Sequence, residues 1–190
     1  MAILQLEDGR IYTSLSAIAP ILNSFNVVVE RISFACDRSL KKVLAKDILT
    51  PFEKHQVLQT TNYAFPLLKK RDGYQRRDVM VLHPGSPSLY PFLIRSDRWH
   101  THSQAEGLHV LAGECIVGVQ SLAKDHPDGT QVQLLLQAGD YIKIPPRIKH
   151  RFSLSSSLNI KAVQYSLTPD GCIPEFVRSP EPCEGSSPTV

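Results

Sequence analysis

Side chains that can bind a metal ion occur at short spacings near the middle of the chain. His100, His102 and Glu106 lie in the segment from Trp99 to Glu106, and alternate residues of an extended chain share one face. Two neutral imidazoles and one carboxylate on one face can hold a divalent ion and leave coordination positions open. These ligand types suit mononuclear iron and also nickel or manganese.

His150 is a candidate for a fourth ligand. It follows a strand pattern that ends at Pro145-Pro146, and it begins the next strand. An isolated His pair is a weak signal, because a single His on a strand is more often a core or surface residue. Two spacings taken together are far more specific: H-x-H-x3-E-x6-G, which ends at Gly113, and G-x5-P-x4-H, which runs from Gly139 to His150. These spacings are similar to the two motifs of the cupins.

The second half of the chain contains short apolar segments separated by turn signals such as Ala112-Gly113 and Pro127-Asp128-Gly129. Short strands at this spacing are typical of a sandwich or a barrel. We predict an all-β dominated fold with peripheral helices, a cupin (double-stranded β-helix) barrel with an N-terminal α/β extension. The predicted strands of this half are 79–82, 108–111, 115–119, 131–136, 141–144 and 160–167.

The first third of the chain has a mixed pattern. Apolar residues recur at helical spacing over 15–22, and residues 27–32 form a β-branched segment. Thr50, Pro51 and Glu53 have the types expected at a helix start, and the helix should continue to about Lys70 with a disturbance near Pro66. We predict one cupin domain over 1–177, with N-terminal helices in 1–72 packed on a barrel of 73–177, and a disordered tail over 178–190.

Composition excludes several classes of function. The net charge is +3 without a long basic run, which argues against nucleic-acid binding. Charged residues interrupt the N-terminal ten residues, and no segment has the length of a membrane span, so we expect neither a signal peptide nor a membrane partner. The four cysteines lack metal-site spacing and are expected as free thiols, with Cys115 in the core. A cytoplasmic monomer or homodimer is the resulting expectation.

Beyond the metal motifs, the chain resembles the acireductone dioxygenases, the cupin family of methionine salvage. The resemblance extends to about Arg178. It is carried by these segments: 6–9 (LEDG), 73–78 (GYQRRD), 81–84 (VLHP), 97–102 (DRWHTH), 139–142 (GDYI), 150–152 (HRF), 160–163 (IKAV) and 174–176 (PEF).

This resemblance implies an antiparallel barrel with helices outside and one metal ion per chain. Family members bind iron or nickel through three His and one Glu, which correspond here to His100, His102, Glu106 and His150. Fe(II) is the expected ion and Ni(II) the alternative. The family substrate is an enediol with a methylthio tail that chelates the metal as a dianion and reacts with O2. The iron form yields a keto acid and formate, and the nickel form releases carbon monoxide.

The positions that line the family's substrate pocket differ in this chain. Leu108 and Gln164 stand where the family usually has arginines. Cys172 stands in place of a Trp, and Ser96 in place of an aromatic residue, while the aromatic Phe152 is retained. Arg147 replaces the glycine of the second motif. The resemblance therefore predicts a substrate pocket built by Ser96, Leu108, Phe152, Gln164 and Cys172 that is roomier and more apolar than usual.

The net charge of the metal site with its substrate bound suggests an alternative substrate. A divalent ion with one carboxylate carries about +1, so a dianionic enediolate would leave the site at about −1. An uncompensated buried charge costs on the order of several kcal/mol. Unless Lys143, Arg147 or Lys149 compensates, the site should favour a larger or less anionic enolic substrate. A non-oxidative metal cupin (isomerase, lyase or hydrolase) and a non-enzymatic binding cupin stay open as alternatives, although retention of all four ligands argues against the latter.

Overall fold

Helices and strands alternate in the first half of the chain, and strands dominate the second half. The computed structural model describes residues 1–87, 89–121 and 131–177. Within these residues the helices are α1 (Leu15–Asn23), α2 (Arg38–Leu44), α3 (Pro51–Thr60), α4 (Ala64–Asp72) and α5 (Leu89–Ser96). The strands are β1 (Ile3–Leu6), β2 (Ile11–Tyr12), β3 (Val28–Arg31), β4 (Arg76–Leu82), β5 (His100–Thr101), β6 (Glu106–Gln120), β7 (Gln131–Gln137), β8 (Asp140–Ile144), β9 (Lys149–Leu154), β10 (Ile160–Ser166) and β11 (Glu175–Phe176). The turn expected at 127–129 and the tail expected over 178–190 lie outside the described residues.

Strand β6 organises the barrel because its two halves belong to different sheets. Its first half pairs with β8 and β10, and β3 and β4 extend that sheet at its two edges. Its second half pairs with β7 and β9, and the sheet continues through β1 and β2 on one side and β5 and β11 on the other. All of these pairings are antiparallel. The prediction of a β-dominated barrel with peripheral helices is confirmed.

Gly113 lies where β6 passes from one sheet to the other. Its φ is +75°, and a Cβ atom there would lie 2.0 Å from the carbonyl oxygen of Asn159. Only glycine fits this close approach of two backbones. The prediction of a turn at Ala112-Gly113 between two strands was therefore wrong, since the chain bends within one continuous strand. The register of the neighbouring β10 shifts near this bend, between Lys161 and Ala162.

The N-terminal region contributes strands as well as helices. β1 pairs with β7, and β3 pairs with β8, so both become part of the barrel sheets. The capping box predicted at Thr50 and Glu53 is present at the start of α3. The single helix expected up to Lys70 is instead two helices, α3 and α4. Pro66 lies in the first turn of α4, where a missing backbone N–H breaks no helical hydrogen bond.

Two apolar cores hold the sheets in place. One fills the barrel interior and includes Leu4, Val117 and Leu134, each at most 2% exposed. The other lies between the outer face of β4, β10, β6 and β8 and the helices α2 to α4, and it contains the buried residues Tyr74 and Tyr165. Because these strands are packed on both faces, the side chains that they direct into the barrel are held in fixed places. No helix in the described ranges is long and apolar enough to cross a membrane.

Candidate metal centre

Three histidines meet at one point inside the barrel. His100 on β5 lies directly opposite His150 on β9, and His102 follows β5 in the adjoining loop. The three side chains are buried, and one ring nitrogen from each lies within 4.8 Å of the others. Glu106, the first residue of β6, reaches the same point. The structure thus brings together all four residues that the sequence predicted as ligands.

Backbone carbonyl groups orient the three rings. The Nδ1 atom of His100 lies 2.7 Å from the carbonyl oxygen of Arg98, and that of His150 lies 2.9 Å from the carbonyl oxygen of Ile148. The Nδ1 atom of His102 lies 2.9 Å from the carbonyl oxygen of Ile173. Because a carbonyl oxygen only accepts, each Nδ1 carries the proton and donates it. In the neutral form of each ring, the Nε2 atom therefore keeps a free lone pair, as a metal ligand requires.

The carboxylate of Glu106 is held from two sides. Its Oε2 atom lies 3.0 Å from Nε2 of His102 and 3.6 Å from Nε2 of His150. Its Oε1 atom accepts a hydrogen bond of 2.7 Å from the side-chain amide of Gln164. The sequence predicted Gln164 as a pocket residue, but it did not predict this contact with Glu106. The contact arises because β10 pairs with β6, and this pairing is not apparent from the sequence.

Burial and neighbouring charges set the ionisation of the site. Burial is the main cause that lowers the pKa of His100 to about 4, so its ring is neutral at pH 7. Burial lowers the pKa of His102, but the Glu106 carboxylate, together with the carbonyl group of Ile173 and the charge of Glu175, raises it, and the net shift is upward. Burial raises the pKa of Glu106, but the imidazoles of His102 and His150 outweigh this effect and lower it. At neutral pH the centre therefore presents a carboxylate beside imidazole nitrogens.

The donor set fits a single divalent ion. Nε2 of His150 is buried and has no hydrogen-bond partner within the described ranges, and a buried polar atom without a partner is costly. A metal ion bound among the four side chains would satisfy this atom. Nitrogen and oxygen donors without a thiolate ligand match iron, nickel and manganese better than softer metals.

The centre opens into a cavity of about 410 Å³. Besides the four residues of the centre, its lining includes all five predicted pocket residues, Ser96, Leu108, Phe152, Gln164 and Cys172. Further lining residues that the sequence did not indicate are Met80, Pro91, Phe92, Arg95, Val117, Ile142, Ile144 and Pro174. Most of these side chains are apolar, so the polar groups of the centre lie in a mainly hydrophobic cavity.

Helix α5 forms one wall of this cavity. Phe92 packs edge-to-face against Phe152 on β9, with ring centroids 5.4 Å apart, and this contact holds the helix against the barrel. The hydroxyl of Ser96 donates to the carbonyl oxygen of Phe92 at 2.7 Å. Helix α5 was not predicted from the sequence, because the prolines at 84, 87 and 91 are typical of a loop. Arg95 was missed with it.

The three basic residues considered as charge compensators do not line the cavity. Lys143 donates to Asp72 at 2.7 Å, and the ammonium group of Lys149 lies 5.7 Å from the centre of the Trp99 ring. Arg147 has a φ of +63°, the left-handed conformation that the family's glycine would adopt without strain.

Two further residues, His83 and Cys115, lie outside the metal centre. The Nε2 atom of His83 lies 2.9 Å from the carboxylate of Asp47, and Cys115 is a fully buried core thiol, as expected.

An antiparallel barrel with three histidines and one glutamate in the lining of a mainly apolar cavity is the architecture of a metal-binding cupin. Comparison with known proteins narrows this class, because the model of the ARD/ARD′ family matches residues 36–171. The chain belongs to this family.

Individual relatives agree with the family assignment. The chain is 38% identical to "Acireductone dioxygenase" of Trichodesmium erythraeum over 176 residues, which cover 93% of this chain and 94% of the relative. The protein of the same name from Trichormus variabilis has the same identity and the same coverage. Among solved structures, an acireductone dioxygenase from Bacillus anthracis with a cadmium ion in its active centre has a TM-score of 0.80 at 23% identity, covering 93% of this chain and 98% of that one. This structural likeness confirms the predicted cupin fold.

Proposed function

We propose that this protein is a metal-dependent dioxygenase that cleaves an acireductone-type enediol with O2, a reaction of methionine salvage. The observation that carries the proposal is the convergence of His100, His102, Glu106 and His150 in the lining of a mainly apolar cavity. The relatives named acireductone dioxygenase match nearly the whole chain, which supports the same activity here.

His100, His102 and His150, each through Nε2, and Glu106 through its carboxylate would hold one ion per chain. We propose Fe(II) as this ion, with Ni(II) as the alternative, because the donor set accepts both. When bound, the metal supplies Lewis-acid polarisation of two adjacent substrate oxygens and a position for O2 beside the activated carbon.

The protein's own residues prepare the site for this chemistry. The carbonyl oxygens of Arg98, Ile148 and Ile173 hold the three rings in one orientation, so the rings do not have to turn before a metal ion binds. The amide of Gln164 holds Glu106 through its second oxygen. Preorganised groups of this kind avoid reorganisation during the reaction.

The apolar wall of the cavity can bind the substrate's methylthio tail and exclude water. Leu108 is 6% exposed and Phe152 is 9% exposed, and both line the cavity next to the centre. A methylthio tail would bury its apolar surface against such side chains, at roughly 25 cal/mol per Å². The same wall limits access of bulk water to the reacting carbon. We therefore propose Ser96, Leu108, Phe152, Gln164 and Cys172 as the substrate pocket.

A second candidate is the same reaction on a larger enediol. The short side chains of Ser96 and Cys172 and the apolar Leu108 favour it, because they leave the cavity at about 410 Å³. A cytoplasmic protein that works as a monomer or homodimer on a small molecule and O2 fits either candidate.

The test combines metal analysis with oxygen uptake. Apoprotein prepared with a chelator is reloaded with Fe(II) or Ni(II), and bound metal is measured by elemental analysis. O2 uptake is then followed with acireductone and with bulkier enediols. We expect one ion per chain, turnover only in the loaded protein, formate from the iron form and carbon monoxide from the nickel form. Turnover of bulkier enediols in preference to acireductone would favour the second candidate, and metal binding without O2 uptake on any enediol would refute both.

A further inference from the structure

The cavity contains one permanent cation that the family resemblance did not indicate. Among the lining residues that the structure describes, Arg95 is the one Lys or Arg side chain. It lies in the last turn of α5, whose residues Pro91, Phe92 and Ser96 line the same wall. These positions share one helix face, so Arg95 stands on the side of α5 that borders the cavity.

The Arg95 side chain is exposed and unpaired. Within the described ranges it has no hydrogen bond, ion pair or aromatic partner. Two other basic side chains near the centre are engaged: Arg98 stacks on Phe176 at 4.7 Å, and Arg151 stacks on Trp99 at 5.0 Å. A guanidinium offers five donors in a planar fork that matches two oxygens. Arg95 is therefore available to a ligand that enters the cavity.

The charge of the proposed complex requires such a cation. A divalent ion and Glu106 together carry about +1, and a dianionic enediolate would change this to about −1. Leu108 offers no charge, and the amide of Gln164 already donates to Glu106. One additional positive charge at the cavity would make the complex neutral.

We infer that Arg95 is a specificity-determining residue that binds an anionic oxygen of the substrate and so selects the enediolate over neutral enols. This inference rests on the proposed function. It places the compensating cation on helix α5, whereas the family usually places arginines on the strands that contain Leu108 and Gln164. The positive charge of Arg95 would also offset the cost of placing an anionic substrate in a cavity with apolar walls.

The test compares three variants with the wild type. Arg95→Gln removes the charge, and Arg95→Lys keeps the charge but loses the planar fork. Arg38→Gln is the matched control, because Arg38 is also exposed and unpaired within the described ranges but lies on α2, outside the cavity lining. Metal content and Tm are measured first for each protein. Acireductone binding is then measured by anaerobic titration of the metal-loaded protein, and KM and kcat by O2 uptake.

We expect Arg95→Gln to raise Kd and KM by about tenfold, since a hydrogen bond to a charged group contributes on the order of 1.4 kcal/mol or more. Arg95→Lys should fall between Arg95→Gln and wild type, and Arg38→Gln should match wild type. Raising salt from about 50 to about 500 mM should weaken acireductone binding more in the wild type than in Arg95→Gln. Salt screens the attraction between the Arg95 guanidinium and the substrate anion, and the variant lacks this attraction.

Two outcomes would overturn the inference while the proposed function stands. One is equal binding by Arg95→Gln and Arg38→Gln in a wild-type protein that turns over acireductone. The other is loss of bound metal in Arg95→Gln, which would make Arg95 a structural residue. A wild-type protein that neither binds nor consumes acireductone would instead refute the proposed function, and the inference with it.

Discussion

The hydrogen bond between Gln164 and Glu106 leads to a sharp prediction about metal affinity. The amide of Gln164 donates to Oε1 of Glu106 at 2.7 Å, while Oε2 faces His102 and His150. Gln164→Leu keeps most of the side-chain volume and removes the donor. Hydrogen bonds that orient a ligand typically change metal affinity by about 10- to 100-fold, and each tenfold step corresponds to about 1.4 kcal/mol. We expect the Kd for Fe(II) or Ni(II) to rise by about tenfold or more in Gln164→Leu.

Competition with a chelator of known affinity measures this Kd without any enzymatic assay. Gln133→Leu is the matched control, because Gln133 is exposed on β7 and lies outside the cavity lining. Its Kd should equal that of wild type. A Kd for Gln164→Leu within about twofold of the control would refute the reasoning, since it would mean that Glu106 needs no second contact to act as a ligand.

Two further predictions concern stability. Burial lowers the pKa of His109 to about 4 from an ordinary value of 6.5, so its contribution to stability is complete above pH 6.5 and is lost as the pH falls from 6.5 to 4. In urea unfolding, the free energy of unfolding of the wild type should fall by about 3 kcal/mol at most over this pH interval. The free energy of unfolding of His109→Gln should depend less on pH. The same pH dependence in both proteins would contradict the assignment to His109. A Cβ at Gly107 would lie 2.7 Å from the hydroxyl oxygen of the buried Tyr74, so Gly107→Ala should lower the free energy of unfolding by about 1–3 kcal/mol. Gly85→Ala, where the nearest atom is 3.5 Å away in the side chain of His83, should leave it nearly unchanged, and similar losses in both variants would contradict the packing argument.

The metal centre was predictable from the sequence because its spacings are local. His100, His102 and Glu106 lie within seven residues at even spacings, which predicts a shared side of an extended chain even though His102 lies in the loop between β5 and β6. The second motif, from Gly139 to His150, added the fourth side chain. The strands at 79–82, 131–136 and 141–144 were also found, because β-branched and apolar segments between turn residues carry a strong local signal.

The sequence alone therefore determined the β-dominated class, the four metal-binding candidates and the departures at Leu108 and Gln164. Only the tertiary structure decided which groups surround them. Gln164 and Glu106 are 58 residues apart in sequence and meet because β10 pairs with β6. Arg95 borders the cavity because Phe92 packs on Phe152 and holds α5 against β9. Contacts of this kind depend on packing between distant segments, and local residue patterns carry no information about such packing.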